Sequence, residues 1–444
     1  MKYEIPARSS FLVVTAIIAL LFFSPLQPLK ASDKNDSEDT PVTHDAIYDD
    51  LIWSGSRSWR APSYAGQDSA IGYNKQTFST PAGMEKQVQF WIDIYSKYTT
   101  TQGVLHDSEQ IDFIYSVVDF SDVEKLSGLT LKTKEKLKQK IVEEEKKKII
   151  QRLEKVAAAK SISDVDKKDR EIFKMRDQLS AKTLRFQLGQ KDRMQKAIFI
   201  SGRYIEDFEN IFREQNLPIE LTRLVFVESS FNVLARSKVG ASGLWQIMPS
   251  TARPYRLINQ VVDRRNHPID ATKLSARFMR MNYNQLESWP LAITGYNHGP
   301  TGVLKMTRKY KTREIADLIE NVKSRRSFGF ASRNFYASFL AALHVEKNAS
   351  QYFPGIKWSQ KLDSDPIKLP VAISYKELLS WFAGDKIKLQ VFNPHLTQNV
   401  LSGKKSITSG VWIQLPQEKY PQVLAQLARK KREEIRLRKT ASIK

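Results

Sequence analysis

The chain has 444 residues, 41% of them hydrophobic and 10% aromatic, enough for about three domains and a real buried core. Lys plus Arg number 70 against 48 Asp plus Glu, a net charge of +22 that suits an anionic partner without choosing among nucleic acid, membrane face and acidic polymer. There is no cysteine, which excludes disulfides, thiolate metal sites and a lipidated Cys, and the six histidines are scattered, so neither a metal nor a cofactor is expected.

Lys2 and Arg8 precede "FLVVTAIIALLFF" (Phe11 to Phe23) and then "SPLQPLKAS", the layout of a secretory signal peptide over 1–31. Export to a periplasm or cell envelope follows, and with it an argument against nucleic acid as the partner. Residues 32–84, rich in Ser, Asp, Pro and Gly, read as a loosely held leader. From 85 to 200 a helical region is expected: Val88, Trp91, Ile92 and Tyr95 form a helical stripe, and "HDSEQIDFIYSVVDF" is read as continuing it. Leu137, Ile141, Ile149, Leu153 and Val156 form a sparse apolar seam in a Lys/Glu-rich stretch. That stretch reads as one long solvated helix, paired as a hairpin with 170–200.

Residues 201–352 are denser in apolar and aromatic side chains. In "NLPIELTRLVFVESSFN", Pro218 suits a first helical turn, and Leu221, Leu224, Val225 and Glu228 share one helical face. That face packs inward, so the Glu228 carboxyl loses hydration and its pKa rises toward neutrality, which fits it to donate a proton to a leaving group. An arbitrary Glu at a helix end would more often turn to solvent, so the surrounding motifs decide. Downstream, "SKVGASGLWQIMPSTAR" has turn glycines at 240 and 243, with Ser242 placed to cap a helix starting near Leu244. Trp245, Gln246, Ile247 and Met248 mix an amide with large apolar groups, as a sugar groove does. "LAITGYNHGPTGVLKM" ends one helix at Tyr296 and Asn297, stops it at Gly299 and opens the next at Pro300.

Residues 353–370, "FPGIKWSQKLDSDPIKLP", read as a linker, 371–416 as a small module and 417–444 as a basic tail able to touch an anionic membrane surface.

"ESSFN", "SKVGASGLWQIMPSTAR" and "GYNHGPTGV", in that order and spacing, resemble the soluble-lytic-transglycosylase catalytic domain of the lysozyme-like superfamily, and most of all the membrane-bound lytic murein transglycosylase D group. The resemblance implies a mainly α protein: a lysozyme-like helical catalytic domain, an N-terminal helical extension and a small α+β C-terminal module that resembles a degenerate LysM. It implies cleavage of the β-1,4 bond between N-acetylmuramic acid and N-acetylglucosamine in peptidoglycan without water, leaving 1,6-anhydro ends. Glu228 takes the place of the acid that then acts as base. Ser237 falls where a hydroxyl orients the muramyl sugar, Gln246 and Met248 match groove residues, Tyr296 matches a tyrosine bonded to the catalytic carboxyl, and Asn297 supports the adjacent turn. Two departures stand out. Ala331, Ser332 and Phe335 occupy positions where the family often carries a Glu-Thr pair and a Tyr, and His298, expected to point to solvent, replaces a small residue.

Two alternatives share these residues. A goose-type lysozyme would hydrolyse the same bond with a second carboxylate, for which Asp263 and Asp270 are the candidates, although both read better as turn and cap residues. A non-catalytic peptidoglycan-binding protein would use the charge and the C-terminal module alone.

Overall fold

The computed structural model describes residues 77–324 and 326–441. The expected signal peptide and nearly all of the expected leader lie outside the described residues. Within them no helix is long and apolar enough to cross a membrane.

The protein is mainly α. The first helix among the described residues, α1 (Glu85–Ser96), buries the expected Val88, Trp91, Ile92 and Tyr95. The end of the leader is packed rather than loose, because Phe78 is buried with its ring 5.5 Å from Phe339. The stretch after α1 corrects the helical expectation. It forms β1 (Gln102–Asp107) and β2 (Ile114–Asp119), which with β3 (Leu184–Leu188) make an antiparallel sheet in the order β2-β1-β3. "IYSVVD" is rich in β-branched and aromatic residues, and such side chains suit a pleated, half-buried surface better than a helix. The Lys/Glu-rich helix is present as α2 (Leu131–Ala158), capped by the Thr130 hydroxyl and burying Val142, Ile149, Leu153 and Val156. Its partner is the sheet and the segment after it, not a second long helix: Leu105, Phe120 and Phe186 share its core with Ile172 and Phe173.

The rest of the chain shares one larger core. It is built from α3 (Lys191–Ser201), α4 (Ile205–Glu214), α5 (Leu224–Ser229), α6 (Pro268–Leu286), α7 (Trp289–His298), α8 (Pro300–Tyr310), α9 (Ile315–Asn321) and α10 (Phe330–Lys347). Helix α10, apolar nearly all round, packs against α1, α5 and α7.

The expected linker is also structured. Trp358 is buried, the Ser359 amide donates to the Phe199 carbonyl at 2.8 Å, and Ser364–Lys368 forms β4. β4 pairs antiparallel with β5 (Trp412–Pro416), with Ile367 opposite Ile413. Between them lie α11 (Tyr375–Trp381) and α12 (Lys386–Phe392), each started by a side-chain cap, Ser374 and Asp385. Of the Pro and Gly residues that suggest a linker, Pro354 and Gly355 form a turn and Pro366 lies within β4 itself. Apolar side chains of this module, such as Leu378 and Ile413, join the same core as α5 and α10. Tyr420–Ala441 forms α13, whose first turns bury Val423 and Leu427 while Lys430 bonds Glu377 at 2.6 Å.

Candidate active site

Glu228 sits in the last turn of α5, a helix of six residues entirely inside the core. The Pro218 turn comes out as a 3-10 turn over Ile219–Arg223 and feeds α5 directly. Arg223, with no exposed surface, locks this entry: its guanidinium is 2.5 Å from Glu209 on α4 and 3.4 Å from Glu346 on α10. After Glu228 the chain turns sharply, with Ser230 and Phe231 both in the left-handed region at φ 49° and 56°. That conformation is costly for a bulky residue, and the burial of the Phe231 ring 4.7 Å from Phe226 holds it.

Glu228 is 4% exposed, and neither carboxyl oxygen has a hydrogen-bond partner. Buried polar groups are almost always paired, so two orphan oxygens on one carboxyl mark a site kept open for something else. Desolvation pushes its pKa up to about 8.

A cavity of about 130 Å³ opens onto this carboxyl, lined by residues from α5, the 246–251 segment, α6 and the end of α7. Gln246, Met248, Tyr296 and Asn297 all line it, together with Ile247 and His298. Residues 243–246 form a turn closed by pairing of Ser242 with Ile247, not the helix expected near Leu244, and the next helix begins at Pro249. Ser242 does not cap it; its hydroxyl donates to Asn266 Oδ1 at 2.7 Å. Gly243 is required here, since it has φ +78° and a Cβ would meet the Arg265 carbonyl oxygen at 2.2 Å. Gln246 is again left-handed, at φ 45°, and its Nε2 donates to the carbonyls of Gly243 (2.9 Å) and Ala235 (3.2 Å). Trp245 belongs to the core rather than the cavity: it is fully buried, stacked 5.7 Å from Phe212, and its indole N–H donates to Thr272.

Two further expectations change. The Tyr296 hydroxyl does not bond Glu228; it donates to the Trp245 carbonyl at 2.9 Å and lies 3.1 Å from Ser275 Oγ. Its pKa is nevertheless raised, by burial first and then by the neighbouring Glu228 charge. Ser237 lies outside the cavity, and its hydroxyl accepts from the Ala241 amide at 2.7 Å, closing the turn that leads to Gln246. Tyr296→Phe therefore leaves the Trp245 carbonyl without its donor. The expected loss is about 1–3 kcal/mol of stability in urea titration, with no movement of the alkaline limb of activity.

Asn297 is positioned from α10, because the Ser332 hydroxyl donates to its Oδ1 at 2.8 Å. His298 does not point to solvent. It lines the cavity, its ring is 5.4 Å from Phe328, and burial lowers its pKa. Ser332, second of the pair that departs from the family pattern, thus supports the α7 terminus directly. Leu274, Ser275 and Phe278 on α6 also line the cavity, and Tyr95 on α1 lies close enough to feel the Glu228 charge. The sequence signal for Ser275 was a hydroxyl on the inward face of α6; nothing local announced Tyr95.

Asp263 and Asp270, the candidates for a second carboxylate, are not in the cavity. Asp263 pairs with Arg265 at 2.7 Å, and Asp270 with Arg264 at 2.7 Å. Among the described residues, Glu228 is the one carboxylate lining the cavity, and no cluster of metal-ligating side chains occurs.

A short inward helix thus ends in an unpaired carboxyl, faced by a glycine-shaped turn and a tyrosine-bearing helix end. Residues 208–319 match the model of the transglycosylase SLT domain. The chain is 36% identical over 103 residues to membrane-bound lytic murein transglycosylase D of Escherichia coli (strain K12), a match covering 23% of each protein. It is 28% identical over 183 residues to a protein of Alteromonas sp. (strain M-1) named for tributyltin chloride resistance, covering 41% of this chain and 83% of that one. A solved structure of an inactive mutant of the lytic transglycosylase Slt from Pseudomonas aeruginosa aligns over 34% of this chain and 25% of its own, at 21% identity and a TM-score of 0.27. The chain thus spans less than a quarter of the length of the E. coli relative it matches.

Proposed function

We propose that the protein is a peptidoglycan lytic transglycosylase of the cell envelope, with Glu228 as acid and then base. The observation that carries this reading is the buried, doubly unpartnered carboxyl of Glu228 at the cavity, where desolvation favours the protonated form. In the first step the protonated Glu228 gives its proton to the bridging oxygen between N-acetylmuramic acid and N-acetylglucosamine as the bond to the muramyl anomeric carbon breaks. In the second step the resulting carboxylate takes the proton of the muramyl C6 hydroxyl, whose oxygen bonds to the anomeric carbon. The product is a 1,6-anhydro end, and the proton is back on Glu228. A pKa near the working pH suits a group that must do both.

Hydrolysis by inversion needs a second carboxylate about 6.5–9.5 Å from the acid to activate water. Asp263 and Asp270 are already committed to arginines outside the cavity, which favours the non-hydrolytic reading. The Gln246 amide nitrogen is spent on two carbonyls, which leaves its oxygen to accept from a sugar hydroxyl or acetamido N–H. Met248 and Phe278 give the apolar cover for a pyranose ring, and Asn297 and Tyr296 shape the far wall. Ser237 acts at one remove, by closing the turn before the groove. The C-terminal strand–helix–helix–strand unit is LysM-like in this reading. The exposed basic face of α13, including Arg429 and Lys431, is the part suited to an anionic envelope surface.

The test is digestion of purified sacculi across pH. Release of soluble glycan is expected to fall off on the alkaline side with a midpoint near 8, as Glu228 loses its proton. A flat profile from pH 6 to 9.5 would remove Glu228 from the role of acid.

A further inference from the structure

The turn that carries Gln246, Ile247 and Met248 into the cavity is held by one guanidinium. Arg265, itself buried, donates through Nη1 to the carbonyls of Gly240 (2.6 Å) and Ile247 (2.9 Å). Its Nε and Nη2 grip the Asp263 carboxylate at 2.9 and 2.7 Å, a bidentate pair that fixes the plane of the fork. Asp263 is in turn anchored in the C-terminal module. Its amide donates to the His395 carbonyl at 2.7 Å, and Val262 pairs with Leu396. The Thr397 amide and hydroxyl reach the carbonyls of Val261 (3.0 Å) and Gln260 (2.7 Å). An unbroken run of hydrogen bonds therefore leads from the strand–helix–helix–strand unit, through Asp263 and Arg265, to the wall of the cavity.

We propose that the C-terminal module is a positioning clamp for the substrate-binding turn, acting through Asp263 and Arg265 as positioning residues. Neither side chain lines the cavity, so neither touches the reacting atoms. Their work is to hold the left-handed Gln246 and its neighbours at the distance from Glu228 that a sugar requires. The module's helices share the catalytic core, which makes it part of the catalytic unit rather than a tethered appendage. The kinetic part of this proposal rests on reading the cavity as the glycan site; the mechanical part does not.

Arg265→Lys keeps the charge and removes the fork, and Asp263→Asn keeps the shape and removes the grip. Thr397→Ala loosens the seam from the module side, far from the cavity. Each is made in the full chain and followed two ways: hydrogen exchange of the peptide 237–251 by mass spectrometry, and kcat and KM on soluble uncrosslinked glycan strands. For Arg265→Lys, exchange at 237–251 is expected to quicken about tenfold while peptides of α10 keep the parental rate. KM is expected to rise and kcat to fall, lowering kcat/KM about tenfold or more, with the alkaline limb unmoved because Glu228 is held by α5. Asp263→Asn is expected to follow it and serves where the lysine variant does not fold. Thr397→Ala is expected to move the same peptide in the same direction by about twofold to threefold. Parental exchange at 237–251 in Arg265→Lys and Asp263→Asn would overturn the clamp. A change in those two with none in Thr397→Ala would overturn the module's part in it. A parent that cuts no glycan would instead sink the proposed function, and the exchange result would still decide the mechanical claim.

Discussion

Glu228→Gln is expected to abolish glycan cleavage while leaving the fold intact. Glutamine keeps the shape of the side chain and cannot give up a proton, and loss of a general acid costs about 10²–10⁴-fold in rate. Here one group serves both halves of the reaction, so the upper end of that range is expected. The same substitution has a second, opposite signature in stability. Because burial raises the folded-state pKa to about 8 from an ordinary value of 4.5, the folded protein binds a proton that the unfolded chain releases between those values. The parent therefore loses stability as pH rises from about 4.5 to about 8, and above that the loss is complete. Glu228→Gln does not carry this burden. Its melting temperature should exceed the parent's by a margin that grows across that window. A variant with activity within a few-fold of the parent would sink the assignment, and a melting difference independent of pH would sink the explanation by desolvation.

Arg223→Ala is expected to be the most destabilising single change near the site. Arg223 is fully buried between Glu209 and Glu346, and Glu209 also pairs with Arg213 at 2.9 Å. Removing the guanidinium strips both carboxylates of a buried counter-charge, and breaking such a pair costs about 3–5 kcal/mol. The loss should appear in urea titration as a lower midpoint with an unchanged slope. Since Arg223 immediately precedes α5, the variant should also lose activity in proportion to its folded fraction. A cost below about 1 kcal/mol would mean that the triad is not what fixes α5.

Much of the site was legible because its signals are local. The inward face that includes Leu224, Val225 and Glu228 follows from helical spacing, and Gly299–Pro300 announced the end of α7 and the start of α8. What escaped is long-range or ambiguous in period. The β1–β2 hairpin reads as helix in the sequence because its apolar residues satisfy a helical spacing as well as a strand's, and pairing with β3, far along the chain, decides between them. The segment 353–370 looked like a linker by composition, yet β4 needs a partner at 412–416 that no local rule reveals. The resemblance implies a bond from Tyr296 to Glu228, whereas the Trp245 carbonyl, in the turn after Gly243, accepts the hydroxyl's hydrogen bond instead. The sequence leaves Asp263 open as a second carboxylate, and only the fold shows it closed on Arg265.

The most direct test of the account is the fate of solvent oxygen at the cut. Purified glycan strands digested in water enriched in oxygen-18, with the new ends read by mass spectrometry, distinguish the two chemistries in one experiment. Glu228 acting alone as acid and then base, with the muramyl C6 hydroxyl as nucleophile, predicts 1,6-anhydro ends free of the heavy isotope. Reducing ends carrying one oxygen-18 would show that water attacks, and would contradict it.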